Sequence, residues 1–514
     1  MRIGIDIGGT NTDAVLMDGD RVVASHKSPT TASVGEGVER AIREVLDIAG
    51  VDGEVVRRVV LGTTHFTNAV VQRRGLDRVC AIRLGAPASR AFPPFSIWPD
   101  DLADATRGSV ALLPGGVNFD GSPITALDEA ALRTAADRAV ADGLTSIALT
   151  SVFAPLSSDN ETLARDVMAA QQPTLSFSLS SDIGNLGVLE RENATILNAC
   201  LASTAVEVMK SIESALTRVG VDCPFYLSQN DGTLMSADFA ARFPVRTFAS
   251  GPTNSIRGAG FLAGVEDALV VDIGGTTTDV GALRRGFPRE SANTTELAGL
   301  RTNFRMPDLV SIGVGGGSIV SLDASPIAIG PRSVARELRT RARVFGGDTL
   351  TVTDLAVAAG RLSVGTPSLV AALDPELVAR ATSRIQELVE RAVDAMRLAA
   401  DAVPVVLVGG GAPLVGPDAF AGQTVLRPDH ADVANAVGSA IAYAGGESDR
   451  IYDLDGLSRE EAVQLAEDEA RRQCVHAGAE AGTVEIVEVD ALPLTYLPGQ
   501  SVRIRVKAAG PPAA

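Results

Sequence analysis

The sequence predicts an α/β fold made of two similar halves, and three observations carry that expectation. The first is a repeat. Asp6-Ile7-Gly8-Gly9-Thr10-Asn11-Thr12-Asp13 returns far downstream as Asp272-Ile273-Gly274-Gly275-Thr276-Thr277-Thr278-Asp279, differing only at Asn11 and Thr277. Each copy lies between two apolar runs, the pattern of strand, Gly-rich turn, strand. The second is composition: 46% hydrophobic but only 4% aromatic residues, a core of Val, Ala, Leu and Ile that suits sheets covered by helices. The third is the alternation of strand and helix patterns along 514 residues, more chain than one core usually holds.

The elements follow in order. After the first hairpin, a strand near Arg21–Ala24 leads to a helix near Gly37–Ala49. Val59-Val60-Leu61 is a strand that runs into Gly62-Thr63-Thr64-His65-Phe66-Thr67-Asn68-Ala69, a polar turn opening a helix, and Val79–Leu84 is another strand. Ala86–Pro123, rich in Pro, Gly and Asp, reads as an irregular excursion. Helix Asp128–Asp142, strand Ser146–Phe153, helix Asn160–Ala170 and strand Thr174–Leu179 resume the alternation. Leu189–Val219 reads as one long helix or two in tandem, before strand Pro224–Leu227. The second hairpin is followed by strand Asp308–Ile312, helices at Asp354–Ala359 and Pro375–Ala400, strand Val405–Val408, and a small-residue helix over 432–442. Ser458–His476 is a charged helix, and Thr483–Val489 and Ser501–Val506 are alternating strands. The expected division is 1–188, 189–446 with a closing helix over 432–444 packing back on the first half, and a small α+β unit over 447–514.

Glycines let a backbone approach a phosphate closely, and successive N–H groups with threonine hydroxyls can hold its oxygens. A carboxylate at a strand end can hold magnesium, usually through water. Two such turns imply two half-molecules closing on a nucleotide from opposite sides.

Other classes are excluded or unsupported. The three lysines, Lys27, Lys210 and Lys507, never follow a glycine, so a P-loop is absent. Gly313–Ser318 falls short of a dinucleotide fingerprint, and no serine- or zinc-hydrolase motif is present. A net charge of −18 argues against nucleic-acid and anionic-membrane partners. Cys80, Cys200, Cys223 and Cys474 are widely spread, which reads as reduced thiols in a cytoplasmic protein. The chain opens directly on a strand pattern, with no membrane-length apolar run.

Taken together, the motifs resemble a known family. The two D-x-G-G-T turns, the Gly409-Gly410-Gly411 turn and the small-residue helices resemble the actin, sugar-kinase and heat-shock ATPase superfamily. Within it, Gly62-Thr63-Thr64 with Thr67-Asn68-Ala69, Glu190-Arg191 with Asn198-Ala199, Ser250-Gly251-Pro252, Ser311–Ser318 and Ile329–Val334 are similar to the hydantoinase A/oxoprolinase family, over about residues 1–445. Asn11 stands where that family often has Phe, and Thr253-Asn254-Ser255 replaces a commonly glycine-rich stretch.

The resemblance implies two RNase-H-like, actin-like ATPase domains around a nucleotide cleft. It implies ATP and Mg²⁺ as cofactors, and phosphorylation of a cyclic amide or imide of hydantoin, 5-oxoproline or lactam type for ring opening. A second hydantoinase-type subunit and an oligomer are the expected partners. Asp6 and Asp272 are the expected Mg²⁺ carboxylates. Gly8, Gly9, Thr10, Thr12, Gly274, Gly275, Thr276 and Thr277 are expected to cradle phosphates. Gly409, Gly410 and Gly411, with Gly315 and Gly316, are expected on the adenosine side. Asp13 and Asp279 read either as catalytic groups or as turn-closing carboxylates. Thr63, Thr64, His65 and Asn68 are the substrate-side candidates, because ligands of α/β folds gather at strand ends. Arg191 reads as a substrate contact or as part of an interdomain ion-pair cluster. Alternatives are a carbonyl-carboxylase subunit, a sugar-type kinase, a reactivating factor that remodels another enzyme, and a structural subunit that binds nucleotide without turnover.

Overall fold

Two sheets repeat one strand order. The computed structural model describes residues 1–514 except 32, 185, 292–294, 304–305, 322–325, 398–402, 417–418, 421, 495–499 and 514. The chain begins with β1 (Arg2–Ile7), β2 (Asn11–Asp18), β3 (Arg21–Pro29), α1 (Val34–Ala49), β4 (Arg58–Thr63) and α2 (His65–Gln72). An inserted layer follows, comprising β5 (Val79–Ala86), α3 (Asp100–Thr106), β6 (Arg107–Pro114), α4 (Glu129–Ala141), β7 (Ser146–Ser151), α5 (Asp159–Gln171), β8 (Ser176–Leu179) and α6 (Ser180–Ile183). Its parallel sheet has the order β6-β5-β7-β8. Tandem helices α7 (Val188–Cys200) and α8 (Ala202–Arg218) return to β9 (Phe225–Ser228), β10 (Leu234–Ser236), α9 (Ala237–Arg242) and α10 (Ser250–Ala263).

The second sheet uses β11 (Ala268–Ile273), β12 (Thr278–Arg284) and β13 (Phe287–Pro288). The hairpin β14 (Thr295–Leu297)–β15 (Leu300–Thr302) follows, then β16 (Leu309–Ile312) and the hairpin β17 (Ser318–Ser321)–β18 (Ala328–Ser333). Helices α11 (Leu338–Arg341), α12 (Val352–Ala358) and α13 (Pro375–Met396) lead to β19 (Val405–Val408), β20 (Val425–Leu426) and α14 (Ala434–Ala440). The tail is β21 (Ala444–Asp453), α15 (Arg459–His476), β22 (Glu485–Pro493) and β23 (Ser501–Gly510).

The order β3-β2-β1-β4-β9 matches β13-β12-β11-β19-β20. In both, the first two pairings are antiparallel and the last two parallel. Parallel strands covered on both faces read as continuous apolar runs. Val59-Val60-Leu61 and Val405–Val408 are accordingly inaccessible to solvent. The helices after each fifth strand are exchanged between halves. α10 lays Ile256 and Ala259 on Val270 and Val406 of the second sheet. α14 lays Ala436, Val437 and Ala440 on Val15 and Met17 of the first.

The structure departs from the sequence expectations in four places. The stretch over 86–123 is not wholly irregular: it contains α3 and β6. The α7–α8 pair and β9 pack into the first core, so the sheets divide near α10 and not at 188/189. The closing helix ends at Ala440, and Ala444 already begins β21. That strand pairs Leu234 with Ala444, so the tail extends the first sheet to nine strands instead of standing apart. Helix α13 is described to Met396, and the expected end of this helix, 398–400, lies outside the described residues.

Candidate active site

Both hairpins close in the same way. Asp6 pairs across the strands with Asp13, and Asp272 with Asp279. The Gly8 N–H donates to the Asn11 carbonyl at 3.0 Å, and the Gly274 N–H to the Thr277 carbonyl at 2.9 Å. A Cβ at Gly9 or Gly275 would meet no atom within 4 Å, so each turn presents its tip to open space. That is the surface an approaching phosphate needs. Thr10 holds the neighbouring strand, its carbonyl accepting from the Thr30 N–H. Thr12 is buried and pairs with the Thr30 hydroxyl at 3.3 Å, which takes it away from the tip.

The carboxylates behind the first turn are nearly enclosed, and those behind the second are partly exposed. Asp6 and Asp13 are 5% and 4% exposed. Asn435 of α14 donates its amide nitrogen to Asp6 Oδ2 at 2.9 Å and to Asp13 Oδ2 at 3.0 Å. Lys27 of β3 is ion-paired with Asp13 Oδ1. Asp6 Oδ1 is buried without a hydrogen-bond partner. Burial, then the charge of Asp13, pushes the Asp6 carboxyl up to about 7. Burial likewise takes Asp272 to about 6, against a hydrogen bond from Ser255 of α10, with Asp279 adding to the rise. Asp279 is raised by burial while Ser311 bonds to it. The charge of Asp272 is felt at Asp6, and that of Asp13 at Asp272. The two hairpins therefore face one cleft. These mutually repelling carboxylates, one with an orphan oxygen, suit a cation. Among the described residues no group of three or more His, Cys, Asp or Glu could hold a metal by itself, so the remaining ligands would be water and phosphate oxygens.

The loop over 62–68 abuts the first turn. Gly62 is opposite Asp6, and a Cβ there would collide with Asp6 Oδ1 and the Asn254 amide. A Cβ on Gly409, the residue after Val408 opposite Asp272, would likewise collide with Asp272 Oδ1. The Thr63 N–H donates to Ser250 Oγ at 3.3 Å, and the Thr64 hydroxyl donates to the Ile7 carbonyl at 3.2 Å. Asn68 donates to Thr64 Oγ1 at 3.2 Å, so Thr63, Thr64 and Asn68 are gathered at the cleft. His65 begins α2; its imidazole is half-buried, and burial lowers its pKa, leaving it neutral at pH 7.

Other expected residues sit differently. The N–H groups of Gly316 and Gly317 donate to the carbonyls of Gly274 and Gly275 at 3.0 and 2.7 Å, and Gly315 packs against the same turn. This segment buttresses the second glycine turn. Gly409 and Gly410 do line a cavity of about 510 Å³ with Arg361, Arg427, His430 and Asp432. Gly411 donates to the Ile273 carbonyl at 2.8 Å. Arg191 is 1% exposed and spent on Ser180 Oγ and the Ser151 carbonyl, with Glu161 and Glu192 near its charge. It ties the inserted layer to α7. Sequence reasoning missed Lys27, Asn435 and Ser255, whose contacts come from cross-strand register and from helices distant in sequence.

A duplicated α/β fold with two facing Gly-rich hairpins defines an actin-like ATPase architecture. The chain belongs to the hydantoinase/oxoprolinase family: the family's N-terminal region matches residues 2–171 and its hydantoinase/oxoprolinase domain residues 191–408. It is 26% identical over 390 residues to the caprolactamase subunit alpha of Pseudomonas jessenii, covering 71% of this chain and 55% of that protein. Identity is also 26%, over 396 residues, with the acetophenone carboxylase gamma subunit of Aromatoleum aromaticum, covering 71% and 54%. The chain thus spans about half the length of these curated relatives. The crystal structure of the ATP-dependent caprolactamase from Pseudomonas jessenii superposes with a TM-score of 0.78 at 19% identity, over 99% of this chain and 87% of that one. Among the described residues no helix is long and apolar enough to cross a membrane.

Proposed function

We propose that the chain is the ATP-binding subunit of an enzyme that phosphorylates the carbonyl oxygen of a cyclic amide or imide and so activates it for ring opening. The observation that carries this reading is the facing of Asp6 and Asp272 behind two open glycine turns. Phosphoryl transfer asks chiefly for positioning and charge neutralisation. The glycine turns and their threonines hold the phosphates, and the Gly409–Gly410 cavity takes the adenosine. Asp6 and Asp272 would hold Mg²⁺ through water, and the ion would supply neutralisation of phosphate charge.

An unstrained amide resists water because nitrogen donates into the carbonyl. Its oxygen bonds to the γ-phosphorus as the bond to the β,γ-bridging oxygen breaks, and ADP leaves with that electron pair. Loss of the ring N–H proton gives an imidate phosphate, whose carbon water can attack. Thr64 and Asn68, on the loop that begins at Gly62 beside Asp6, would meet the substrate, and His65 would donate to its carbonyl.

The relatives named as subunits support a partner that completes the reaction. The purified chain should show slow Mg-dependent ATPase and little ring opening with hydantoins, 5-oxoproline and lactams, and the second subunit should restore it. Efficient ring opening by the single chain overturns the two-subunit reading. The equal match to a carboxylase subunit supports a second reading, in which a ketone is phosphorylated to an enol phosphate. ATPase stimulated by ketones, and not by cyclic amides, selects it.

A further inference from the structure

We infer that Lys27 is the cation that meets the γ-phosphoryl group in the cleft. The inference rests on the proposed ATP-dependent reaction and adds a substrate-contacting residue to it.

Four positions form a row across the first sheet: Gly62 on β4, Asp6 on β1, Asp13 on β2 and Lys27 on β3, each directly opposite the next. Directly opposite residues share a face of a sheet. The second sheet repeats the row as Val408, Asp272, Asp279 and Ser311. The carboxylate pair is duplicated, but the position of the lysine is taken by a serine. Ser311 bonds to Asp279, so in the second half the inner carboxylate is satisfied without a cation. Satisfying Asp13 therefore does not by itself require a lysine.

Lys27 is also the more exposed member of the pair, its side chain 32% exposed against 6% for that of Asp13. Its partner Asp13 shares the amide of Asn435, from α14, with Asp6, so Lys27 sits one contact away from the Asp6 carboxylate. The strand carrying it is pinned to the first phosphate turn, since the Thr30 hydroxyl donates to the Gly8 carbonyl at 2.8 Å and the Thr30 N–H to the Thr10 carbonyl at 3.0 Å.

The residue type fits the task. The chain has 45 basic residues, of which only three are lysines. An arginine would favour a planar two-point pair with Asp13, whereas an ammonium is a compact charge with three donors. One donor serves Asp13 and two remain for phosphate oxygens. Charge on those oxygens changes as the phosphoryl group transfers, and a fixed cation stabilises it there.

Calorimetric titration of the full chain with Mg²⁺ and either a non-hydrolysable ATP analogue or ADP tests this directly. Lys27→Met and Lys27→Gln should weaken the analogue by about 10- to 100-fold, the loss of one charge-assisted contact. ADP affinity should stay as in wild type, and Lys27→Arg should recover part of the discrimination. Thermal melting of each variant reports whether it is folded, and the glutamine, which keeps a donor for Asp13, protects the test if methionine disrupts the sheet. A wild-type ratio of analogue to ADP affinity in the folded variants overturns the inference, as does equal weakening of both ligands. If wild type binds neither nucleotide, the proposed reaction itself falls. If wild type binds both and only the variants fail to discriminate as expected, this inference alone falls.

Discussion

Gly258 of α10 and Gly438 of α14 touch backbone to backbone where the two exchanged helices cross. A Cβ on Gly258 would overlap the Ala434 carbonyl, and one on Gly438 would overlap the Asn254 carbonyl. The contact is reciprocal. Ser255 and Asn435, one turn before each glycine, carry the hydrogen bonds to Asp272 and to Asp6 and Asp13. The crossing thus links the two carboxylate sites through two short helical segments.

Gly258→Ala and Gly438→Ala should each destabilise the fold by about 1–3 kcal/mol or more, because the obstacle is main chain and no rotamer relieves it. The double variant should cost less than the sum, since the first substitution already parts the helices. Urea unfolding of the four proteins measures this. Additive effects would show that the two glycines do not share one contact.

Asp6→Asn and Asp272→Asn should each lower Mg·ATP turnover by about 10²-fold or more, by analogy with the loss of other preorganised electrostatic contacts. Stability should not fall with activity. Asp6 is enclosed and Asp272 partly so, each is repelled by a neighbouring carboxylate, and the amides remove that charge. Steady-state ATPase beside thermal melting separates the two effects. Near wild-type turnover in either variant rejects the assignment.

The hairpins were legible in the sequence because a Gly-rich turn is a local feature, written in consecutive residues and here written twice. The strand order around them was not, since Asp13 meets Lys27 and Asp272 lies beside Val408 only through pairing. The closing helix was recognised from its small residues, but those residues do not name their partner. Only the structure shows that α10 makes the crossing. Arg191 shows the limit for charge: beside Glu190 and Glu192, a buried structural arginine and a substrate contact look alike in sequence. Only the packing of Ser151 and Ser180 on its guanidinium separates them.

Lys507 on β23 pairs with Asp231 at 2.9 Å and with Glu290 at 3.2 Å, joining the tail to both halves. Burial alone would raise the Asp231 carboxyl, but Lys507 and hydrogen bonds from Thr233 hold it well below the usual range, with Arg257 of α10 also near. A depressed folded-state pKa contributes stability above the unfolded value, near 4, and that stability is lost as pH falls below it. Lys507→Met should cost about 3–5 kcal/mol at neutral pH by stranding buried charge. The difference from wild type should shrink as pH drops below about 4 and the carboxyls protonate. Melting curves between neutral and acid pH test this; a difference constant with pH would assign the loss to packing.

Closure on nucleotide is the remaining expectation, and the structure constrains its path. Each phosphate turn belongs to a different sheet, so each can hold only part of the ligand. The halves are tied at the α10–α14 crossing and again where the β14–β15 hairpin buries Leu297 and Leu300 in the first core. Asn193 of α7 donates to the Arg301 carbonyl at 2.9 Å and fixes that hairpin. Together with the Lys507 contacts to Asp231 and Glu290, these ties limit closure to a small hinge motion, which would narrow the cleft and shed water from the γ-phosphate. A non-hydrolysable ATP analogue with Mg²⁺ should therefore reduce the radius of gyration measured by small-angle scattering. It should also shorten the distance between fluorophores placed on the two halves away from the ties. Gly438→Ala should blunt both changes. Identical wild-type dimensions with and without the analogue would show that the cleft is already closed and that the crossing serves as a brace.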